Sequence, residues 1–194
     1  MAVAGVSGYL VGGMASLGAA LLNALVVGLF AAGVVVNAIV MGLPDAKALQ
    51  TLTLQEPLRI YTTDGVLMGE FGVQRRRPVS IDEIPPLLTK AFLVTEDSRF
   101  FEHEGIDLSG LGRAALSFAR TGKPKQGGST ITMQVARNFF LSREKTFQRK
   151  LAELLLAFRI ERTLTKDEIL TLYLNKIFFG HRAYGVAAAA EIYY

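Results

Sequence analysis

The sequence predicts a mainly α-helical protein with a small β-hairpin and an N-terminal transmembrane helix. Three observations predict it. No charged side chain occurs from Met1 to Pro44, a single pair of β-prone runs flanks Asp64-Gly65, and apolar residues at helical spacing fill most of the chain beyond Pro85-Pro86.

The uncharged run exceeds the ~20 residues that a helix needs to cross a bilayer, so residues 1–44 read as an anchor with the span inside 9–42. A cleaved signal peptide requires a basic n-region, and no Lys or Arg precedes Lys47. Two short spans would need a polar turn, and none divides the run. All 21 Lys+Arg and 17 Asp+Glu lie beyond it, and the net charge is +4. Such a charge-dense, basic domain suits anionic headgroups, phosphorylated substrates or nucleic acid. The lack of Cys excludes disulfides and thiolate metal sites and is compatible with an extracytoplasmic location.

Residues 45–85 read as a linker, LPDAKALQTLTLQEP, followed by a hairpin in LRIYTTDGVLMGEFG, where Asp64-Gly65 supplies the turn. Arg75, Arg76 and Arg77 end it as a solvated or headgroup-facing patch. Pro85-Pro86 suits a helix start, with Leu87, Leu88, Ala91, Phe92 and Thr95 on one face. Asp107 opens the next helix and Gly122 closes it. Ser129 or Thr130 caps a third. A long amphipathic helix follows from about Glu144 to Thr163, with Phe147, Leu151, Leu154, Leu155 and Phe158 inward. Thr165 and Glu168 form a capping box before KDEILTLYLNKI, and an Ala-rich helix starts near Tyr184.

Several segments carry chemistry. VTEDSRFFEHEG, residues 94–105, sets four acids, an Arg and a His around paired Phe residues. Glu96 follows Ala91, Phe92, Leu93 and Val94 and precedes Phe100 and Phe101, which makes it a candidate for a partly desolvated catalytic carboxylate. KPKQGGSTITMQVARN is a basic, Gly-rich loop feeding a helix N-terminus, a place that attracts phosphate. It is no Walker loop, since Gly128 stands where that motif requires Lys. In REKTFQRKLAE, Lys145, Arg149 and Glu153 repeat every four residues. Taken alone, Arg149 and Glu153 are an ordinary helix ion pair worth ~0.3 kcal/mol. Ser142-x-x-Lys145 lacks a following Lys-Thr-Gly, Gly110-x-Gly112-x-x-Ala115 follows no strand, and His103 and His181 lack zinc-ligand spacing.

Five segments in order, EDSRFFEHEG, GGSTITMQVARN, RKLAE, KDEILTLYLNKIFFG and RAYGVAAAAEIYY, resemble the peptidoglycan glycosyltransferases of class A penicillin-binding proteins and their monofunctional relatives. The resemblance covers residues 44–194 and places the glycosyltransferase domain at 86–194. It implies a mostly helical, lysozyme-like fold that polymerises lipid II, an undecaprenyl-diphosphate disaccharide-peptide, into a β-1,4 glycan strand with inversion. Carried over by motif, Glu96 is the general base on the acceptor 4-hydroxyl. Glu153 assists at the donor diphosphate, directly or through a divalent cation, Mg or Mn, and no organic cofactor is implied. Arg137, Lys145, Arg149 and Lys150 surround the diphosphate, with Ser129, Thr130, Gln134 and Asn138 lining the same cleft. Asp97, Phe100 and His103 belong to the first motif without an assigned role.

The implied partners are lipid II, the growing glycan strand, the membrane and proteins of cell-wall synthesis or division, with no nucleic acid. The implied location is the bacterial inner membrane, as a single-pass protein with its domain on the periplasmic or extracellular side. The apolar SGLGRAALSFA and IFFG segments read mostly as buried core, with contact to the bilayer as the other reading. Met133 stands where many members have Gln, and Lys145 where many have Arg. The family's domain continues past the fifth motif, so an incomplete C-terminus is expected. A lytic, lysozyme-like enzyme and a silent membrane-anchored scaffold are the competing readings. The cation set separates the first from a transferase, because hydrolysis of a neutral glycoside has no diphosphate to hold.

Overall fold

The computed structural model describes residues 3–122, 128–142, 144 and 146–194, and the side chains from residue 18 onward within that set. The chain divides into two units, Met1–Leu43 and Pro44–Tyr194. The first is one continuous helix, α1 (Val3–Gly42), with no break for a second span. Forty residues at 1.5 Å each give roughly 60 Å, longer than a ~30 Å hydrocarbon core. By length and composition it can cross a membrane, and none of its described side chains is buried.

The second unit is mainly helical. It contains a hairpin of β1 (Leu58–Tyr61) and β2 (Leu67–Phe71) and a small sheet built from β3 (Arg75–Arg76), β4 (Phe178–Gly180) and β5 (Ala183–Tyr184). Its helices are α2 (Pro86–Glu96), α3 (Leu108–Thr121), α4 (Ile131–Phe140), α5 (Phe147–Thr163), α6 (Lys166–Lys176) and α7 (Val186–Tyr193). The hairpin turns at Gly65, whose φ of +84° needs a residue without Cβ. In the other sheet β5 lies between β3, parallel to it, and β4, antiparallel to it.

The core is α4 packed between α5 and α6. Ile131, Met133, Val135 and Ala136 face Leu156, Ala157 and Ile160 and, from α6, Ile169, Leu170, Tyr173 and Leu174, all buried. Each large aliphatic among them contributes about 1.5–3 kcal/mol of burial. Met133 is 1% exposed and packs in the apolar core. Caps set the helix ends as the sequence predicts. Asp107 accepts from Gly110 N–H, Thr130 from Met133 N–H, and Thr165 and Glu168 close a capping box. Gly122 ends α3 in the left-handed region.

Five expectations need correction. The inward face of α5 is Ala152, Glu153, Leu156, Ala157 and Ile160, while Phe147 and Phe158 are exposed. A buried carboxylate and two alanines occupy the core stripe, which moves the apparent apolar face by a residue or two. In α2, Leu87 and Leu88 are exposed and only Phe92 is tied in, edge-on to Tyr173 and Phe179. The apolar segment of α3 is not core: the helix has no buried residue, and Leu108, Leu116 and Phe118 face outward. Arg76 is 2% exposed rather than solvated, because its strand pairs in parallel with Ala183–Tyr184. The segment read as a linker also docks, burying Ala46 and Leu49 in a short 3-10 turn that packs on α5.

Candidate active site

α2 begins at Pro86, whose fixed φ suits a first helical position, and ends by delivering Glu96 and Asp97. Asp97 is buried, and its carboxylate lies 3.0 Å from His103 Nε2 and accepts from Ile131 N–H at 3.0 Å. The pair therefore fixes the end of α2 to the start of α4 and holds the intervening loop. Phe100 is 1% exposed beneath Lys166, whose ammonium lies 4.4 Å from the ring centroid and donates to His103 O at 2.6 Å. Gly105 has φ +85°, and a Cβ there would sit 3.0 Å from Ala157 O. That glycine lets the loop press onto α5, and Thr130 Oγ1 donates to Gly105 O at 2.6 Å. Asp97, Phe100 and His103 thus act together in building the loop.

Glu96 is exposed, not enclosed by Phe100 and Phe101 as the sequence suggests. As the last residue of α2 it points away from Phe100, which packs below the loop against Phe101, His103 and Lys166. One carboxylate oxygen accepts from Gln134 Nε2 at 2.9 Å. Glu96 lines a hollow of about 270 Å³ with Asp107, Arg113, Gly128, Ser129 and Thr130. A Cβ at Gly128 would push on the end of the Leu111 side chain.

The second carboxylate lies behind this hollow. Thr146 caps α5 by accepting from Arg149 N–H, which starts the helix so that Arg149, Lys150 and Glu153 share a face. Glu153 is 1% exposed, forms an ion pair with Arg149 through Oε1, and accepts from Lys150 Nζ at 3.1 Å through Oε2. This is no ordinary surface pair, because removing either partner would strand a buried charge. Lys150 also donates to Ser129 Oγ at 2.8 Å, on the wall of the Glu96 hollow. Burial first, then the charges of Arg137 and Arg149, hold the Lys150 ammonium below the usual lysine range.

Arg137 and Asn138 lie at the other end of α4, where a second hollow of about 390 Å³ is lined also by Ser142, Arg149, Lys176 and Tyr184. The proposed site residues therefore occupy two hollows joined by Arg149, Lys150 and Glu153. Ser129, Thr130 and Glu96 line the first, and Asn138 and Arg137 the second. Thr130 is 2% exposed and spends its hydroxyl on the helix cap and on Gly105. Lys145 lies outside the described residues. Among the described residues no three His, Asp or Glu side chains gather to hold a metal ion. Both oxygens of Glu153 face cations of its own helix, Arg149 and Lys150.

Sequence reasoning missed three residues here. Tyr173 is buried with its hydroxyl unpartnered, and burial, then the nearby charge of Glu96, push that hydroxyl well above its ordinary value. Lys176 and Arg76 flank the second hollow and its Tyr184 wall. The only signal was position: Tyr173 and Lys176 stand in the fourth motif, and Arg76 in a run of arginines.

An accessible carboxylate over a hollow, backed by a buried carboxylate among cations, defines a class of helical acid–cation sites. Residues 64–194 match the family described as Transglycosylase, and the chain belongs to that family. It is 57% identical over 152 residues to penicillin-binding protein 1A of Escherichia coli K12 and 52% identical over 152 residues to that of Pseudomonas aeruginosa. Each match covers 78% of this chain and 18% of the relative, so the chain spans about a fifth of the relatives' length. A crystal structure of penicillin-binding protein 1A from Haemophilus influenzae matches 72% of this chain and 11% of its own, with 34% identity and a TM-score of 0.30.

Proposed function

We propose that the chain is an inverting peptidoglycan glycosyltransferase that polymerises lipid II into β-1,4 glycan and releases undecaprenyl diphosphate. The observation that carries this reading is Lys150, which reaches from buried Glu153 to Ser129 on the wall of the hollow that holds Glu96. Family membership and the relatives' name, penicillin-binding protein 1A, support it.

In this mechanism Glu96 takes the proton from the acceptor 4-hydroxyl as that oxygen attacks the anomeric carbon. The bond from that carbon to the diphosphate breaks on the opposite face, and the diphosphate leaves with the electron pair, so an α-linked donor gives a β link. Gln134 fixes one Glu96 oxygen by donating to it. The developing negative charge falls among Arg137, Arg149 and Lys150, which need no reorganisation because Glu153 already holds two of them. Ser129 and Asn138 supply neutral hydrogen bonds at the two ends of this cluster, and Lys145 a further charge. The bound sugars themselves cover Glu96, which the free protein leaves open to water.

We further propose that α1 anchors the domain at the outer face of the inner membrane. Both substrates carry lipid tails, so an anchor confines the search to nearly two dimensions and fixes orientation. Lipid II and the growing glycan are then its substrates, and cell-wall synthesis or division proteins its neighbours. The excess of cations favours transfer from a diphosphate over hydrolysis of a neutral glycan.

The test is incubation of the full 194-residue chain with lipid II in detergent, read as glycan length. Polymer supports the reading. Shortened glycan from a preformed strand would mark a lytic enzyme, and binding without product would mark a scaffold.

A further inference from the structure

We propose that two further residues complete the diphosphate site at the second hollow: Lys176, which binds the anion, and Arg76, which positions the wall from behind Tyr184. This extends the transferase reading and rests on it. Neither residue has a place in the mechanism above.

Arg76 is the anomaly. It is 2% exposed, yet no carboxylate pairs with it among the described residues. Its Nη2 donates to Gln74 Oε1 at 2.8 Å, its guanidinium lies 5.3 Å from the Tyr184 ring centroid, and its buried Nε has no partner. Arginine cannot shed its proton to relieve such burial. Its charge acts on Lys176, whose ammonium sits 4.6 Å from the Phe139 ring centroid and which likewise lacks a carboxylate partner among the described residues. Burial, then Arg76, hold that ammonium below the usual lysine range.

Lys176 and Tyr184 line the hollow together with Arg137, Asn138 and Arg149. Among the described residues, the ion pairs of the cations Arg76, Arg137, Arg149, Lys150 and Lys176 are those of Arg149 and Lys150 with Glu153. Among the described residues, Arg76, Arg137 and Lys176 therefore have no ion-pair partner. Partly desolvated like charges repel strongly, and a multiply charged oxyanion reverses that repulsion. A phosphate ester fits because it offers several acceptor oxygens to guanidinium and ammonium donors at once, while Asn138 and Ser142 supply neutral contacts. A neutral sugar would leave the imbalance untouched.

The experiment is calorimetric titration of the full chain in detergent with two probes, inorganic pyrophosphate and farnesyl diphosphate. The wild type and Lys150→Ala are compared with Lys176→Gln, Lys176→Arg, Arg76→Gln and Arg76→Lys. Loss of one charge-assisted contact corresponds to roughly tenfold in Kd, so Lys176→Gln is expected to weaken both probes by about that factor. Lys176→Arg is expected to restore affinity to near the wild-type value, which a loss of packing would not do. Arg76→Gln is expected to weaken both probes and Arg76→Lys to recover them. Should Arg76→Gln fail to fold, the Lys176 pair alone decides. Weakening on both probes assigns the subsite to the diphosphate group itself, whatever it is attached to. If the wild type binds and Lys150→Ala binds less, but Lys176→Gln matches the wild type, this inference is overturned and the transferase reading stands. If the wild type binds neither probe, both fall.

Discussion

Lys150 and Glu153 meet at 3.1 Å across less than one turn of α5, with the carboxylate 1% exposed. Glu153 also answers Arg149, so one buried acid neutralises two cations beside the hollow that holds Glu96. Removing it leaves both uncompensated. Glu153→Ala is expected to destabilise the domain by about 3 kcal/mol, read as a lower urea midpoint with unchanged slope. Glu153→Gln, which keeps the volume, is expected to lose less. Equal stability of Glu153→Ala and wild type would contradict the buried ion-pair account.

Lys150 gives a pH dependence. Its ammonium is held below the ordinary lysine value of 10.5 by burial, Arg137 and Arg149. Binding that needs this charge is therefore complete below the lowered value and lost as pH rises through it. Pyrophosphate affinity is expected to decline before pH reaches 10.5, and Lys150→Arg, which stays charged, to decline less. Titrations from neutral pH upward measure this, and identical profiles would remove Lys150 from the diphosphate contact.

The loop that presents Glu96 depends on Gly105. Its φ of +85° and the 3.0 Å approach of a would-be Cβ to Ala157 O leave no room for a side chain. Gly105→Ala is expected to cost about 1–3 kcal/mol and to reduce glycan synthesis by displacing the loop. Thermal melts and the polymerisation assay read the two effects, and an unchanged melt would contradict the contact.

Thr165 supplies a contrast away from both hollows. Its hydroxyl caps α6 by accepting from Glu168 N–H, while Glu168 accepts from Thr165 N–H at 2.7 Å. Thr165→Ala is expected to lose about 1 kcal/mol of stability with unchanged pyrophosphate affinity. A change in affinity would mean that the site is more loosely held than these contacts indicate.

The parts of this fold that local chemistry controls were legible in the sequence. Asp107, Thr130 and Thr165 cap helices where they were expected, and Asp64-Gly65 turns the hairpin. The ordered motifs single out Glu96 and Glu153, and the fold sets the first on a hollow and links the second to its wall through Lys150 and Ser129. What was hidden depends on partners far away in sequence. Arg76 is buried because its strand meets residues 183–184, and nothing in QRRRPV announces that. Glu153 took the core face of α5 although apolar spacing favoured Phe147 and Phe158, because its charge is met by Arg149 and Lys150 rather than by water. Glu96 was read as enclosed because Phe residues flank it in sequence, yet the end of α2 turns it outward while Phe100 goes inward.

The most direct measurement of the central claim is glycan polymerisation by Glu96→Gln beside lipid II binding by the same protein. The carboxamide keeps the shape and the contact with Gln134 but takes no proton. The account predicts that polymer is abolished while binding stays near the wild-type value. Polymerisation at the wild-type rate would contradict it.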